Sequence, residues 1–132
     1  MTFNPGLRVL YVDDSADCRA LVTTLLERSQ VEIRSAENAR QALGAIQSER
    51  FDLYLLEAWL PELDGFELCR RIRENDAHTP IVFFSGACYE ADTKRGIKAG
   101  ANAYVRKPDV EALLASITEY MPSTKALAAS SS

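Results

Sequence analysis

The side chains best suited to chemistry in this chain stand at the ends of short apolar runs. LRVLYV (7–12) is followed by Asp13-Asp14, DLYLL (52–56) by Glu57, IVFF (81–84) by Ser85, and AYVR (103–106) by Lys107-Pro108. Three carboxylates brought into one crevice repel each other, and such an arrangement is tolerable only when a cation or a proton compensates. A hard divalent ion such as Mg2+ is the natural candidate, because it takes a few carboxylate or carbonyl oxygens and keeps several waters. Lys107 adds a fixed positive charge and Ser85 a hydroxyl donor, so a tetrahedral oxyanion would fit between metal, lysine and hydroxyl. That is the equipment of phosphoryl transfer. Singly, each piece has a plainer explanation: Asp-Asp-Ser as helix-capping chemistry, Ser85-Gly86 as a turn, a lysine before proline as a solvated loop charge. Their placement on successive run ends joins them into one candidate site.

The elements that must position these residues alternate in kind. Apolar runs at Leu7 to Val12, Val31 to Arg34, Asp52 to Leu56, Ile81 to Phe84 and Ala103 to Arg106 are separated by segments of helical period, the pattern of a parallel sheet covered by helices on both faces. VEIR (31–34) alternates and reads as an edge strand. The first helix follows a Ser15 N-cap and presents Cys18, Leu21, Val22, Leu25 and Leu26 as its packing face. A second helix over about 38–48 is expected to bury Ala42, Leu43 and Ile46. A third follows Asp64-Gly65 and buries Phe66, Cys69 and Ile72. The fourth, Glu90 to Ala99, has few large apolar residues and an internal Gly96, and is expected to be the most mobile. The last carries Val110, Leu113, Leu114 and Ile117 behind an Asp109 cap, and Pro122 ends it. In an open sheet of this kind, sites form at the carboxyl ends of strands near the point where strand order reverses, which is where the four motifs fall.

At 132 residues the chain has room for one domain and a single sizeable core without staples. Hydrophobic residues at 47% and charged residues at 26% mark an ordinary globular protein rather than a disordered one. A net charge of -4 offers no basic stripe to neutralise phosphates, so no direct nucleic-acid partner is expected. Cys18, Cys69 and Cys88 lack metal-ligand spacing and read as reduced packing residues. With no secretory leader and no apolar stretch near the ~20 residues of a membrane span, a cytoplasmic location off the membrane is expected. Beyond Pro122 the sequence STKALAASSS has little to bury and reads as a tail or linker stub.

Several segments together resemble the response-regulator receiver family over about Leu7 to Tyr120. They are VDDS (Val12 to Ser15), FDLYLLEAWLPELDGFEL (Phe51 to Leu68), PIVFFSGA (Pro80 to Ala87) and KAGANAYVRKP (Lys98 to Pro108). Pro61 and Asp64-Gly65 stand at the offsets from position 57 that the family uses. The resemblance implies a flavodoxin-like, doubly wound five-stranded parallel sheet, (βα)5 with strand order 2-1-3-4-5, forming a receiver domain over 5–121 with 122–132 as tail. It further implies that Asp13 and Asp14 bind Mg2+ with the side chain at position 57 and the backbone carbonyl of Trp59. Ser85 would be the switch hydroxyl, and Lys107 would contact a phosphoryl oxygen across a cis bond to Pro108. Tyr104 would be the rotating aromatic that couples site to surface, although an aromatic in a strand is ordinarily packing.

The chain departs from the family at position 57, where receivers carry the aspartate that accepts phosphoryl from a histidine kinase. Glutamate moves the carboxylate out by about one bond length, ~1.5 Å, and a misplacement of that size costs ~10²-fold in rate. Efficient phosphotransfer is expected to be lost. The longer arm also carries its charge toward the volume a phosphoryl group would fill, where it would pair with Lys107 and meet Ser85, leaving the domain partly switched on. The plainer alternative makes Glu57 a stabilising salt-bridge or metal partner. Trp59 is expected to cover the site. Asn102-Ala103 lacks a carboxylate that relatives often have before Tyr104, which weakens one dimer mode and leaves a monomer or a weak homodimer.

The expected function is that of an atypical, phosphorylation-independent receiver, not an enzyme, acting on a protein partner through the face of the fourth helix, fifth strand and fifth helix, with a histidine kinase as a second candidate partner. Two other readings stand beside it. One is a receiver that still accepts phosphoryl weakly; the other is an Mg2+-dependent phosphohydrolase with an aspartate nucleophile, which wants a DxD arrangement and a cap insertion that this sequence lacks.

Overall fold

Strand and helix alternate five times in the computed structural model, which describes residues 6–87 and 89–121. Residue 5, Cys88, Pro122 and the tail 122–132 lie outside the described residues. The strands are β1 (Arg8–Val12), β2 (Glu32–Ala36), β3 (Leu53–Leu56), β4 (Ile81–Ser85) and β5 (Ala103–Arg106). The helices between and after them are α1 (Ala16–Arg28), α2 (Ala39–Ser48), α3 (Gly65–Asn75), α4 (Glu90–Ala99) and α5 (Val110–Tyr120). All strands pair in parallel in the order β2-β1-β3-β4-β5, so the order reverses between β1 and β3 and opens a crevice at their carboxyl ends.

Successive side chains of a strand point to opposite faces, and the strands here are apolar on both. Leu10, Val12, Leu56 and Phe83 face a layer closed by α2, α3 and Ala99 of α4. Val9, Tyr11, Leu55 and Phe84 face a second layer closed by Val22 and Leu26 of α1 and Leu113 and Ile117 of α5. Polar side chains at the helix starts accept orphan backbone N–H groups, from Cys18 onto Ser15, Gln41 onto Asn38, Glu67 onto Asp64 and Ala112 onto Asp109.

Two packing expectations need correction. Leu21 does not pack on the sheet but is 53% exposed, because the buried stripe of α1 centres on Val22 and Leu26 and Leu21 lies one helical step to its side. In α2 it is Ala39, Ala42 and Ala45 that are buried, their small side chains letting the helix approach the sheet, while Leu43 and Ile46 pack half-buried along its flank. Cys18 and Cys69 are free thiols; Cys69 is buried, which pushes its pKa up to about 11. Among the described residues, no helix is long and apolar enough to cross a membrane.

Candidate functional site

Main-chain hydrogen bonds set the strand ends side by side. Asp13 N–H donates to Ala36 at 3.0 Å, Glu57 N–H to Val12 at 2.9 Å and Lys107 N–H to Ser85 at 3.0 Å. The start of α3 packs closely on the backbone that follows β3: Gly65 N–H donates to the Ala58 carbonyl at 2.8 Å, and a Cβ at Gly65 would lie 2.0 Å from the Glu57 carbonyl oxygen. Only glycine fits there, which gives the Asp64-Gly65 pair a physical reason.

Asp13, Glu57 and Ser85 are buried at these ends, and Lys107 reaches in from β5 to join them. Ser85 Oγ donates to Glu57 Oε1 at 3.0 Å, and its own oxygen accepts the Ala87 N–H at 3.1 Å. Lys107 Nζ lies 2.7 Å from Asp13 Oδ2 and 3.3 Å from Glu57 Oε2. The second contact is a charge pairing without hydrogen-bond alignment, since Oε2 is buried and accepts no hydrogen bond. Burial, together with the charge of Asp13, raises the pKa of Glu57 above the usual carboxylate range, against the pull of Lys107 and Ser85. Burial alone would lower the pKa of Lys107, but the hydrogen bond to Asp13 and the charges of Glu57 and Asp13 outweigh it and raise it.

A residue that the sequence reading treated only as part of a strand completes the site. Tyr11, fully buried two residues before Asp13 on the same face of β1, donates its hydroxyl to Asp13 Oδ2 at 2.6 Å. Asp13 Oδ1 accepts the Ser15 N–H at 2.9 Å. Burial and the Asp13 carboxylate together push the Tyr11 phenol far above its ordinary pKa. Period two from Asp13 was the available signal, yet an aromatic at that position reads first as core.

The other expected site residues lie around this group. Asp14 is exposed, and the Lys107–Pro108 bond is cis. The Trp59 ring is 55% exposed and packs edge-on against Phe66 at 6.3 Å. Tyr104 stacks on Phe83 at 5.4 Å and donates its hydroxyl to the carbonyl of Ala87, the residue whose N–H donates to Ser85 Oγ. α4 lies against both rings, for a Cβ at Gly96 would be 2.9 Å from Tyr104 Cδ2 and 3.1 Å from Phe83 Cδ2.

As arranged, these residues do not fit Mg2+. Among the described residues there is no group of three or more His, Cys, Asp or Glu side chains poised to hold a metal ion. Both oxygens of Asp13 already accept hydrogen bonds, and a lysine ammonium occupies the space between Asp13 and Glu57.

A family model described as response regulator receiver domain matches residues 9–118. Transcriptional regulatory protein ResD of Bacillus subtilis is 40% identical over 101 residues, covering 76% of this chain and 42% of that protein. A gliding motility regulatory protein of Myxococcus xanthus is 36% identical over 106 residues, 79% of this chain but 14% of that protein. The chain thus spans less than half the length of these curated relatives. A solved putative response regulator from Chloroflexus aurantiacus superposes with a TM-score of 0.83 at 27% identity, covering 89% of this chain and 98% of that one.

Proposed function

Since this chain belongs to the response-regulator receiver family, a family of signalling modules that generally bind Mg2+ at the phosphorylation site, we propose that it is an atypical member in which Glu57 permanently supplies part of what a phosphoryl group supplies elsewhere. One observation carries this reading: the Glu57 carboxylate takes the Ser85 hydroxyl at 3.0 Å and lies 3.3 Å from Lys107 Nζ, the two groups that would otherwise meet a phosphoryl oxygen. The inward stacking of Tyr104, with its hydroxyl on Ala87, agrees with a switch already turned toward its signalling arrangement. A carboxylate offers one charge and two oxygens where a phosphoryl group offers nearly two charges and three oxygens, so the imitation is partial.

The output is contact with a protein partner through α4, β5 and α5, where Tyr89 at 80% and Ile97 at 47% exposure offer apolar anchors. A histidine kinase is a second candidate partner. With a net charge of -4 the chain works without contacting nucleic acid itself, in the cytoplasm, as a monomer or weak homodimer and not as an enzyme.

Incubation with acetyl phosphate or phosphoramidate and Mg2+, followed by intact-mass measurement, is expected to show no added phosphoryl group. A stoichiometric, hydroxylamine-labile adduct would contradict the proposal.

A further inference from the structure

The pocket balances its buried charge with its own side chains, and Tyr11 is central to that. Asp13 is fully buried, and its Oδ2 receives two donors at once, the Tyr11 hydroxyl at 2.6 Å and Lys107 Nζ at 2.7 Å, while Oδ1 holds the Ser15 N–H at 2.9 Å. Lys107 in turn lies within 3.3 Å of Glu57 Oε2, so one ammonium spans both buried carboxylates.

We propose that Tyr11 is a positioning residue that holds Asp13 on Lys107 and thereby closes the pocket to divalent ions, making this receiver independent of metal. Mg2+ requires near-ideal octahedral oxygen coordination at about 2.0–2.1 Å and gives up its water reluctantly. Three of the four lone-pair sites of Asp13 are taken, both of those on Oδ2, so an ion that draws on Oδ2 must strip the phenol or the ammonium, and the displaced ammonium would remain beside it on Glu57. Asp14, exposed at the rim, is left as a lone carboxylate, too little to hold Mg2+ at ordinary concentration. Tyr11 reaches the site from the α1–α5 face of the sheet, where Val22 and Leu26 pack in the same layer and keep water from its ring. This deepens the reading of Glu57 as an internal replacement, because the cation that would accompany phosphoryl transfer is replaced by Lys107 and the phenol.

Mg2+ and Mn2+ are titrated into the full chain by calorimetry, with Trp59 fluorescence and the thermal midpoint followed in parallel, for the wild type, Tyr11→Phe and Tyr11→Phe/Asp14→Ala. The wild type is expected to show no saturable heat up to millimolar ion. Tyr11→Phe removes one charge-assisted hydrogen bond while keeping the ring that fills the core, and is expected to bind about ten-fold tighter or better than the wild type and to gain thermal midpoint with added ion. Adding Asp14→Ala should abolish that gain. A purely structural role for the phenol would lower stability without creating metal affinity. Tyr11→Phe binding no tighter than the wild type overturns the proposal, as does micromolar Mg2+ binding by the wild type, which is readable even should the variant fail to fold. Phosphoryl uptake is read separately by mass, so an adduct on Glu57 defeats the earlier proposal, whereas equal metal affinity in wild type and Tyr11→Phe defeats this one.

Discussion

A single methylene separates Glu57 from aspartate, and the consequences follow from where its carboxylate ends up. Buried between Ser85 and Lys107, it shares one ammonium with Asp13, and neither carboxylate is bearable there without that charge. Lys107→Met is therefore expected to cost about 3 kcal/mol or more in urea unfolding, because it strands two buried carboxylates. Adding Glu57→Gln should recover part of the loss, and a double variant no more stable than the single would place the cost elsewhere. The pairing of Glu57 with Ser85 and Lys107 was legible in the sequence, since each stands at a strand end. Tyr11 was not, because residue type alone cannot distinguish a tyrosine filling the core from one whose hydroxyl reaches a carboxylate two residues on. The burial of both residues and the closeness of the phenol to Asp13 in the folded chain decide that.

The helices were legible through their ends more than through their faces. The Ser15 and Asp109 caps marked where α1 and α5 begin, because a side-chain acceptor before an apolar periodic stretch has few other uses, whereas the cap that Asp64 provides to α3 came from the structure. Which apolar residues are buried was less legible: Leu21 stands exposed and the alanines of α2 do the packing, since the contact face depends on the angle at which a helix meets the sheet. Gly96 read as a sign of a weak helix, yet it marks the close approach of α4 to Tyr104 and Phe83. Arg95 pins the same helix to α3, lying 4.3 Å over the Phe66 ring and 3.5 Å from Asp64. Gly96→Ala should change stability by less than about 1 kcal/mol, as the gain in helix propensity offsets the crowding, while displacing the Tyr104 ring. Tyr104 ring resonances that stay in place in this variant would show that α4 does not hold the switch.

At the scale of the molecule, one sheet separates two apolar layers, the arrangement of helices on both faces that the alternation of strands and helices had indicated. Leu10→Ala in one layer and Leu55→Ala in the other should each cost about 2–5 kcal/mol and keep a single unfolding transition. Two separated transitions would show the layers to be independent. In the proposed function a charge at position 57 would bias the domain between two states, and one charge-assisted contact, ~1.5–3 kcal/mol, shifts a two-state population roughly ten-fold or more. It falls short of the ~5.5 kcal/mol that would carry the equilibrium from 1:99 to 99:1, so a mixed ensemble is expected. The direct test is the backbone NMR spectrum of Glu57→Gln, which keeps the shape of the side chain and removes its charge. Shifts are expected to move through residues 85–107, with Tyr104 turning outward, whereas movement confined to the immediate neighbours of position 57 would contradict the account and leave Glu57 a structural placeholder.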